Sequence, residues 1–186
     1  MRRRDGARAH RGSQHVVVPG RANVTAEPMA TGTPATALLT RRAITYTLHE
    51  YAHDPRAESY GAEAAEALGV PPARLFKTLV ARLDGRLVCA LVPVSGTLSL
   101  KALATALGGK RAEMAEPAAA ARATGYVVGG ISPIGQKTAL SVVIDESAAR
   151  FETVFVSAGR RGLQVELAPS DLLLVTEGQL APVAAL

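Results

Sequence analysis

The sequence predicts a single domain of the α+β class, with a mixed and largely antiparallel sheet. Short apolar runs with strand periodicity alternate along the chain with alanine-rich amphipathic segments, so strands and helices are interspersed. The dipeptide Asp84-Gly85 joins two of the apolar runs and is a strong hairpin signal, which makes those two strands antiparallel. The length of 186 residues suits one domain with one sizeable core.

The first half of the domain is predicted to begin with a helix and to end in the hairpin. Thr33 and Pro34 form an N-cap followed by a first-turn proline, which opens a helix. A later alanine-rich stretch is amphipathic, and Gly69 ends it as a helix C-cap. The predicted elements of this half are a helix at 33–41, a strand at 44–51, a helix at 61–68 and strands at 75–82 and 86–92.

The second half of the domain is predicted to contain three helices and several short strands. Ser99 caps the first of these helices, and Pro117 opens a run of alanines that Gly125 closes. The apolar run 125–128 is interpreted as a strand that leads into a loop. The remaining predicted elements are helices at 99–108, at 117–124 and from 169 onward, and strands at 141–144, 152–157 and 163–167.

The loop at 129–137 has the sequence G-G-I-S-P-I-G-Q-K and is the most informative motif of the chain. Three glycines and a proline in nine residues exclude a helix or a central strand. Glycine lets the backbone come close to a ligand, so the N–H groups of Gly129 and Gly130 are candidates for an oxyanion hole. The alternative is a tight structural turn. Ser132 is not a strong nucleophile candidate, because nothing in the sequence resembles a serine elbow with a histidine and an acid.

Lys77 is the second candidate for the site. It lies in an apolar strand in which Leu75, Leu79 and Ala81 share its face. A lysine among apolar neighbours either extends its amine to water from a strand end or is held in a pocket for a task. The residues alone leave these two interpretations equal.

A turn that begins at Ser157, with the sequence S-A-G-R-R-G, places two guanidinium groups at the tip of a predicted hairpin. Arg160 and Arg161 are candidates for contacts to the phosphates of a polyanion, and solvated turn charges are the equal alternative. The chain has only seven aromatic residues, so an extended platform for stacking bases is not expected. Tyr126 or Tyr51 is the candidate for stacking a single base.

Residues 49–53 match the zinc-protease pattern H-E-x-x-H. That chemistry needs both histidines on one face of a helix and a third ligand. Here strand-forming residues precede the motif, Asp54-Pro55 follows it, and no further histidine follows in the sequence. The sequence therefore predicts no metal site, and it places Tyr51 and His53 at the end of a strand beside the site.

Several motifs occur together in the order seen in one family. They are Thr33-Pro34-Ala35, His53-Asp54-Pro55, Phe76-Lys77-Thr78-Leu79, Thr124-Gly125-Tyr126, the loop at 129–137 and the sequence V-S-A-G-R-R-G-L. The chain resembles the bacterial YbaK-type Cys-tRNA(Pro) deacylases, which belong to the editing domains related to the insertion domain of prolyl-tRNA synthetase. The resemblance runs from about Thr33 to about Val175, and the loop is its most specific part.

The resemblance implies a curved mixed sheet or partial barrel flanked by helices, and a hydrolase that acts in trans on Cys-tRNA(Pro). Lys77 is then the pocket lysine, and Gly129 and Gly130 stabilise the oxyanion. The implied substrate-binding residues are Tyr51, His53, Tyr126, Ser132, Pro133, Ser157, Arg160 and Arg161. No cofactor is implied. The partners are the acceptor end of tRNA(Pro) and, as a further candidate, prolyl-tRNA synthetase.

The same resemblance leaves the chemistry and the substrate open at several points. The attacking group is water, the ribose hydroxyl or the substrate thiol, since no catalytic triad is visible. Activity on Cys-tRNA(Cys), removal of alanine instead, and a non-catalytic module that binds aminoacyl-tRNA or a synthetase are the alternatives. Family members can carry an acidic residue where this chain has Gln164, so a carboxylate role there falls away unless Glu166 substitutes.

The charge of the chain is concentrated at its N-terminus. The formal net charge is +5, but residues 1–28 hold six arginines against two acids, and 29–186 is nearly neutral. We expect 1–28 to be a disordered extension or a mis-assigned start, with 29–186 as the editing domain. No apolar run suits secretion or a membrane span. The single cysteine, Cys89, lies in a buried-strand pattern and excludes an internal disulfide, which fits a cytoplasmic protein.

Overall fold

A computed structural model describes residues 32–185 of the chain. The predicted extension at 1–28 lies outside the described residues. Within them the chain forms five short α-helices, none of which is long and apolar enough to cross a membrane. The helices are α1 (Pro34–Arg41), α2 (Tyr60–Leu68), α3 (Leu100–Ala106), α4 (Pro117–Thr124) and α5 (Pro169–Thr176).

Ten strands form three sheets among the described residues. The strands are β1 (Thr47–Glu50), β2 (Phe76–Leu83), β3 (Arg86–Pro93), β4 (Thr97–Leu98), β5 (Ala112–Met114), β6 (Ser141–Asp145), β7 (Val154–Ser157), β8 (Leu163–Leu167), β9 (Gln179–Ala181) and β10 (Ala184–Ala185). The largest sheet has the order β5-β2-β3-β6-β9, the second has the order β1-β8-β7, and β10 pairs with β4.

The two larger sheets meet at one corner. The second sheet is antiparallel throughout, whereas β3, β6 and β9 of the largest sheet run parallel to one another. An isolated parallel bridge between Leu75 and Phe155 links the start of β2 to β7. The sheets curve around a shared core but do not close into a barrel. The α+β class and the mixed sheet predicted from the sequence are thereby confirmed.

The main core fills the space between the two larger sheets. Phe76, Leu91 and Ile144 enter it from the largest sheet, and Val156 and Leu163 enter it from the second sheet. The opposite face of the largest sheet packs against α3 in a second apolar cluster. A third and smaller cluster places the alanine face of α2 over the corner where the sheets meet. Burial on both faces explains why β3 is almost continuously apolar.

The local signals of the sequence account for most element boundaries. Thr33 caps α1 and accepts a hydrogen bond from the Thr36 amide, and Gly69 ends α2 in the left-handed conformation. Asp84 and Gly85 both have positive φ, as a two-residue hairpin loop requires, so the predicted β2–β3 hairpin is confirmed. The short strands β4, β5, β9 and β10 were not predicted, because they are defined only by distant pairing partners.

The strand predicted at 125–128 is wrong. Gly125 adopts φ +78° at the C-terminus of α4, and residues 126–128 do not form a strand. The Gly130 amide donates to the Val127 carbonyl at 2.9 Å, which closes a turn there. The apolar character of the run has a different cause, since Tyr126 is buried in the main core while Val127 and Val128 are exposed.

Candidate active site

A cavity of about 370 Å³ opens where the two larger sheets diverge. Its walls come from β2, from the N-terminus of α2, from the segment between β5 and α4, from the glycine-rich loop, and from β7 and β8. The apolar lining includes Leu75, Phe76, Leu79, Val80 and Ile131, and the polar lining includes Lys77, Thr78, Ser157 and Gln164. An apolar pocket with a few convergent polar groups is the usual form of a small-ligand site.

Lys77 is the second residue of strand β2 and lines this cavity. It is half-buried and lies opposite Val92 in the β2–β3 ladder. Within residues 32–185 no carboxylate lies within ion-pair distance of its amine. A half-buried cation without a protein counter-charge is available to a ligand, which favours the pocket interpretation over the surface one.

The glycine-rich loop is fixed by α4 and not by a strand. The amides of Lys137 and Thr138 donate to the carbonyls of Thr124 and Ala123, at 2.9 and 2.8 Å, and so tie the end of the loop to the end of α4. The buried Tyr126 hydroxyl donates to the Ile134 carbonyl at 2.6 Å. These three bonds hold the C-terminal end of the loop and its middle.

Three residues predicted to bind substrate are buried in or under the loop and do not line the cavity. Ser132 is fully buried, and its hydroxyl accepts from the Ile134 amide at 3.2 Å. Pro133 is buried beside it. Tyr126 is 5% exposed, which leaves no free ring face for a nucleobase, and burial raises the pKa of its hydroxyl to about 12. All three stabilise the shape of the loop.

The two glycines predicted to form an oxyanion hole differ from each other. Gly129 lines the cavity with φ +87°, and a Cβ there would lie 2.8 Å from the Tyr60 ring. Gly130 is buried against the hairpin turn, where a Cβ would lie 2.8 Å from the Arg160 Cα. The Gly130 amide is already paired, whereas the amides of Gly129 and Ile131 have no acceptor among residues 32–185. The open amides beside the cavity are therefore those of Gly129 and Ile131.

The two arginines of the hairpin turn are engaged with protein groups. The Arg160 guanidinium pairs with Glu50 at 2.9 Å. The Arg161 guanidinium donates twice to the Val128 carbonyl, at 2.7 and 3.0 Å, and lies 5.3 Å from the centre of the Tyr60 ring. Neither arginine lines the cavity. Arg161 thus fixes the start of the glycine-rich loop against α2.

Ser157, which was predicted to bind substrate, lines the cavity from the end of β7. Its hydroxyl accepts from the Gly159 amide at 3.3 Å, so it also shapes the hairpin turn. Tyr51 follows β1, and its amide donates to the Gly162 carbonyl at 3.0 Å. Burial raises the pKa of the Tyr51 hydroxyl, and hydrogen bonding, including that of the neighbouring Gln164 side chain, opposes the rise.

The two histidines of the H-E-x-x-H sequence have separate carboxylate partners. His49 lies in β1 and contacts Glu166 at 2.8 Å, while His53 lies beyond the strand and contacts Glu63 at 2.9 Å. The strand assignment made from the sequence is correct for His49. His53 also packs against Tyr60, with 5.7 Å between ring centres, so it supports the N-terminus of α2 near the cavity.

Glu166 does not replace a carboxylate at position 164. It accepts hydrogen bonds from Arg74 and Thr153 at 2.6 Å each and from His49, and it does not line the cavity. Burial raises the pKa of Glu166, but the bonds from Thr153 and His49 and the charge of Arg74 outweigh it and hold the pKa below its ordinary value. Glu166 is a structural anion of the second sheet.

Sequence reasoning missed Thr78 and the N-terminus of α2 as parts of the site. Thr78 lines the cavity from the residue after Lys77, and Glu58, Ser59 and Tyr60 close its outer side. A hydroxyl in an apolar strand was the available signal for Thr78. No sequence signal could place the start of α2 at the cavity, because the position of α2 over β2 depends on packing against Leu75 and Phe155.

Comparison with known proteins links this chain to translation. A model of the aminoacyl-tRNA editing domain family matches residues 54–174. The Enterococcus faecalis protein EbsC, provisionally named as a Cys-tRNA(Pro)/Cys-tRNA(Cys) deacylase, is 43% identical over 64% of this chain and 73% of its own length. A proline–tRNA ligase of Acidithiobacillus ferrooxidans is 35% identical over 50% of this chain, which spans 17% of the ligase.

The fold is also shared with a solved structure. A crystal structure of a protein described provisionally as a trans-editing enzyme for prolyl-tRNA synthetase matches with a TM-score of 0.71. The match has 24% identity and covers 82% of this chain and 95% of that chain. At that level of identity the likeness concerns the fold alone.

Proposed function

The chain belongs to the aminoacyl-tRNA editing domain family, and from that membership we propose that it removes cysteine from mischarged tRNA(Pro) in trans. It is an aminoacyl-tRNA deacylase, so the bond that it cleaves is the ester between an amino acid and the terminal ribose. Cysteine as the amino acid is supported by the 43% identity to EbsC. The similarity to the proline–tRNA ligase supports tRNA(Pro) as the mischarged tRNA and the synthetase as a partner.

One observation carries the proposal: among residues 32–185, one basic side chain lines a small apolar cavity together with two residues whose backbone amides have no acceptor. Lys77 supplies the cation, and Gly129 and Ile131 supply the amides. Such groups stabilise the negative charge that develops on the carbonyl oxygen when an ester is attacked. The surrounding apolar walls exclude water and strengthen that electrostatic effect.

The attacking group is proposed to come from the substrate. Four of the described residues that line the cavity carry hydroxyls, namely Ser59, Tyr60, Thr78 and Ser157, and none of these hydroxyls has a histidine bonded to it. The cysteine thiol can lose its proton and attack its own ester carbonyl. The carbon–sulfur bond then forms, the carbon–oxygen bond breaks, the ribose oxygen takes up a proton, and a thiolactone leaves. Selectivity for cysteine follows because the amino acid supplies the nucleophile.

The test is deacylation of tRNA(Pro) charged with cysteine, serine, alanine or proline by the full chain. We expect cysteine to be released faster than serine by about 10²-fold or more, since a pocket alone discriminates poorly between groups of similar size. Equal rates for cysteine and serine would contradict thiol attack. Faster release of alanine would instead indicate an alanine-editing enzyme, and binding without any release would indicate a recognition module.

A further inference from the structure

Two residues that line this cavity carry buried side-chain oxygens without a hydrogen-bond partner among residues 32–185. Gln164 of β8 is only 6% exposed, and its side-chain oxygen Oε1 is buried and unpaired. Thr78 of β2 has a buried and unpaired Oγ1. Both residues line the cavity, and they reach it from different sheets. Buried polar groups in proteins are nearly always paired, so two exceptions at one cavity indicate that a ligand completes them.

The position of Gln164 is fixed by the strands on either side of it. β8 is the central strand of its sheet, and Gln164 lies opposite His49 of β1 and Ser157 of β7. Its neighbours Leu163 and Val165 are fully buried in the main core, so the side chain of Gln164 lies on the other face, where the cavity is. Its amide is therefore held rigidly and is not a mobile surface group.

The chemistry of the two atoms restricts the ligand group that they bind. The Gln164 oxygen only accepts hydrogen bonds, and the Thr78 hydroxyl can accept as well as donate. A group that donates to both atoms must offer more than one N–H or O–H hydrogen. In an aminoacyl ester the carbonyl offers none. A ribose hydroxyl offers one and would need Thr78 to donate to it, whereas the α-amino group offers at least two and can donate to both atoms. Among the described residues that line the cavity, the one carboxylate is that of the exposed Glu58.

We propose that Gln164 and Thr78 together accept hydrogen bonds from the α-amino group of the bound aminoacyl ester. This inference rests on the proposed function and adds a requirement to it: the site selects amino acids over other acyl groups of the same shape. Lys77 and the open amides of Gly129 and Ile131 then remain for the ester carbonyl. Gln164 thus serves recognition as a neutral acceptor, without the carboxylate that relatives can carry at this position.

Binding of two stable adenosine analogues by the full chain tests the proposal. In both, an amide replaces the ester; one carries cysteine, and the other carries 3-mercaptopropionate, which is cysteine without its amino group. Calorimetry should show that the native chain binds the cysteine analogue at least about 10-fold more tightly, the value of roughly one strong hydrogen bond. Gln164→Leu should reduce that ratio to near 1 while the melting temperature stays equal or rises, because an unpaired buried acceptor is removed.

Two further variants make the test decisive. Gln179→Leu removes the same side-chain amide from an exposed site on β9 and should keep the native ratio. Thr78→Val preserves the shape of its side chain and should also lower the ratio, which decides the question if Gln164→Leu does not fold. A native ratio near 1, no measurable binding of the cysteine analogue, or an unchanged ratio in Thr78→Val and Gln164→Leu would overturn the inference. Deacylation is measured separately, so failure of the proposed function would appear there and not in the ratio.

Discussion

The front half (129–131) and the rear half (132–137) of the glycine-rich loop use their backbone polar groups differently. In the rear half, Ser132 accepts from the Ile134 amide, and its carbonyl accepts from the Gln136 side chain at 3.0 Å. In the front half, Gly129 and Ile131 line the cavity, and their amides have no acceptor among residues 32–185. A loop is rigid when it satisfies its own polar groups, and the groups left over mark where a ligand can bind.

This contrast separates residues that maintain the loop from residues that act on substrate. Substitutions at the front-half residues that line the cavity, or in the groups that share the cavity with them, should lower turnover and leave stability nearly unchanged; the packed Gly130 is the exception within the front half. Substitutions in the rear half should lower stability and leave the turnover of the folded fraction nearly unchanged. Each prediction below tests one side of that distinction.

The largest expected effect is that of Lys77→Ala, because Lys77 shares the cavity with the front half. Removal of a positioned cation at a reacting ester should lower the single-turnover rate of deacylation by about 10²- to 10³-fold. The melting temperature should change little, since Lys77 has no ion pair within residues 32–185. Lys101→Ala, an exposed lysine of α3, is the matched control. Near-normal turnover in Lys77→Ala would assign the lysine to the surface.

The second prediction compares the two adjacent glycines. Gly129→Ala should lower turnover by about 10²-fold, because the new methyl group meets the Tyr60 ring beside the cavity and misplaces the ester. The positive φ adds a strain of about 1 kcal/mol, and the exposed Tyr60 can shift. Gly130→Ala should mainly lower stability, by about 1–3 kcal/mol, since its methyl group meets the Arg160 backbone, which cannot move aside.

Thermal unfolding and turnover should be measured on the same preparations of both glycine variants. The comparison fails if the two variants lose stability and activity in parallel. In that case the front half would be scaffold like the rear half, and the open amides would have no role in the reaction.

The third prediction concerns the rear half alone. Tyr126→Phe removes the hydroxyl that donates to the Ile134 carbonyl at 2.6 Å in the buried interior. The free energy of unfolding in urea should fall by about 1–3 kcal/mol, because the carbonyl loses a buried donor. Turnover per folded molecule should stay within about twofold, since Tyr126 does not line the cavity. A loss of turnover without a loss of stability would place the ring in the site.

The smallest effect, a loss of stability at low pH, is expected far from the loop, at Asp145. Burial raises the pKa of this carboxyl, but hydrogen bonds from the amides of Ser147, Val183 and Ala184 outweigh it, so the folded pKa lies below the unfolded one. The carboxylate therefore stabilises the fold above the unfolded pKa, near 3.9, and this contribution is lost as pH falls through the lower folded pKa. Turnover is not expected to depend on it.

Asp145→Asn isolates this contribution, because Glu166 also has a lowered pKa and titrates in the same window. The difference in melting temperature between the native chain and Asp145→Asn should be constant at neutral pH and shrink below about pH 4. A difference that stays constant down to pH 2 would show that the folded carboxylate has an ordinary pKa.

The fold was largely predictable, because its signals are local. Capping residues, the Asp84-Gly85 turn and strand alternation act over a few neighbours and fix helices, hairpins and buried faces. The site was only partly predictable. Lys77, Gly129 and Ser157 were named from the sequence and line the cavity, whereas Tyr126, Ser132 and Pro133 are buried and belong to the packing of the loop. Their residue types suit both roles, and only burial distinguishes the two.

The sequence by itself determined the α+β class, the shaped loop at 129–137 and the presence of a lysine in an apolar strand. Each of these follows from the conformational limits of glycine and proline or from the cost of burying a charge. Only the tertiary structure decided which groups of the loop remain open and that Thr78 and Gln164 meet at one cavity. The reason is that hydrogen-bond satisfaction depends on partners far away along the chain. Strands β2 and β8 come together only when the whole core has packed.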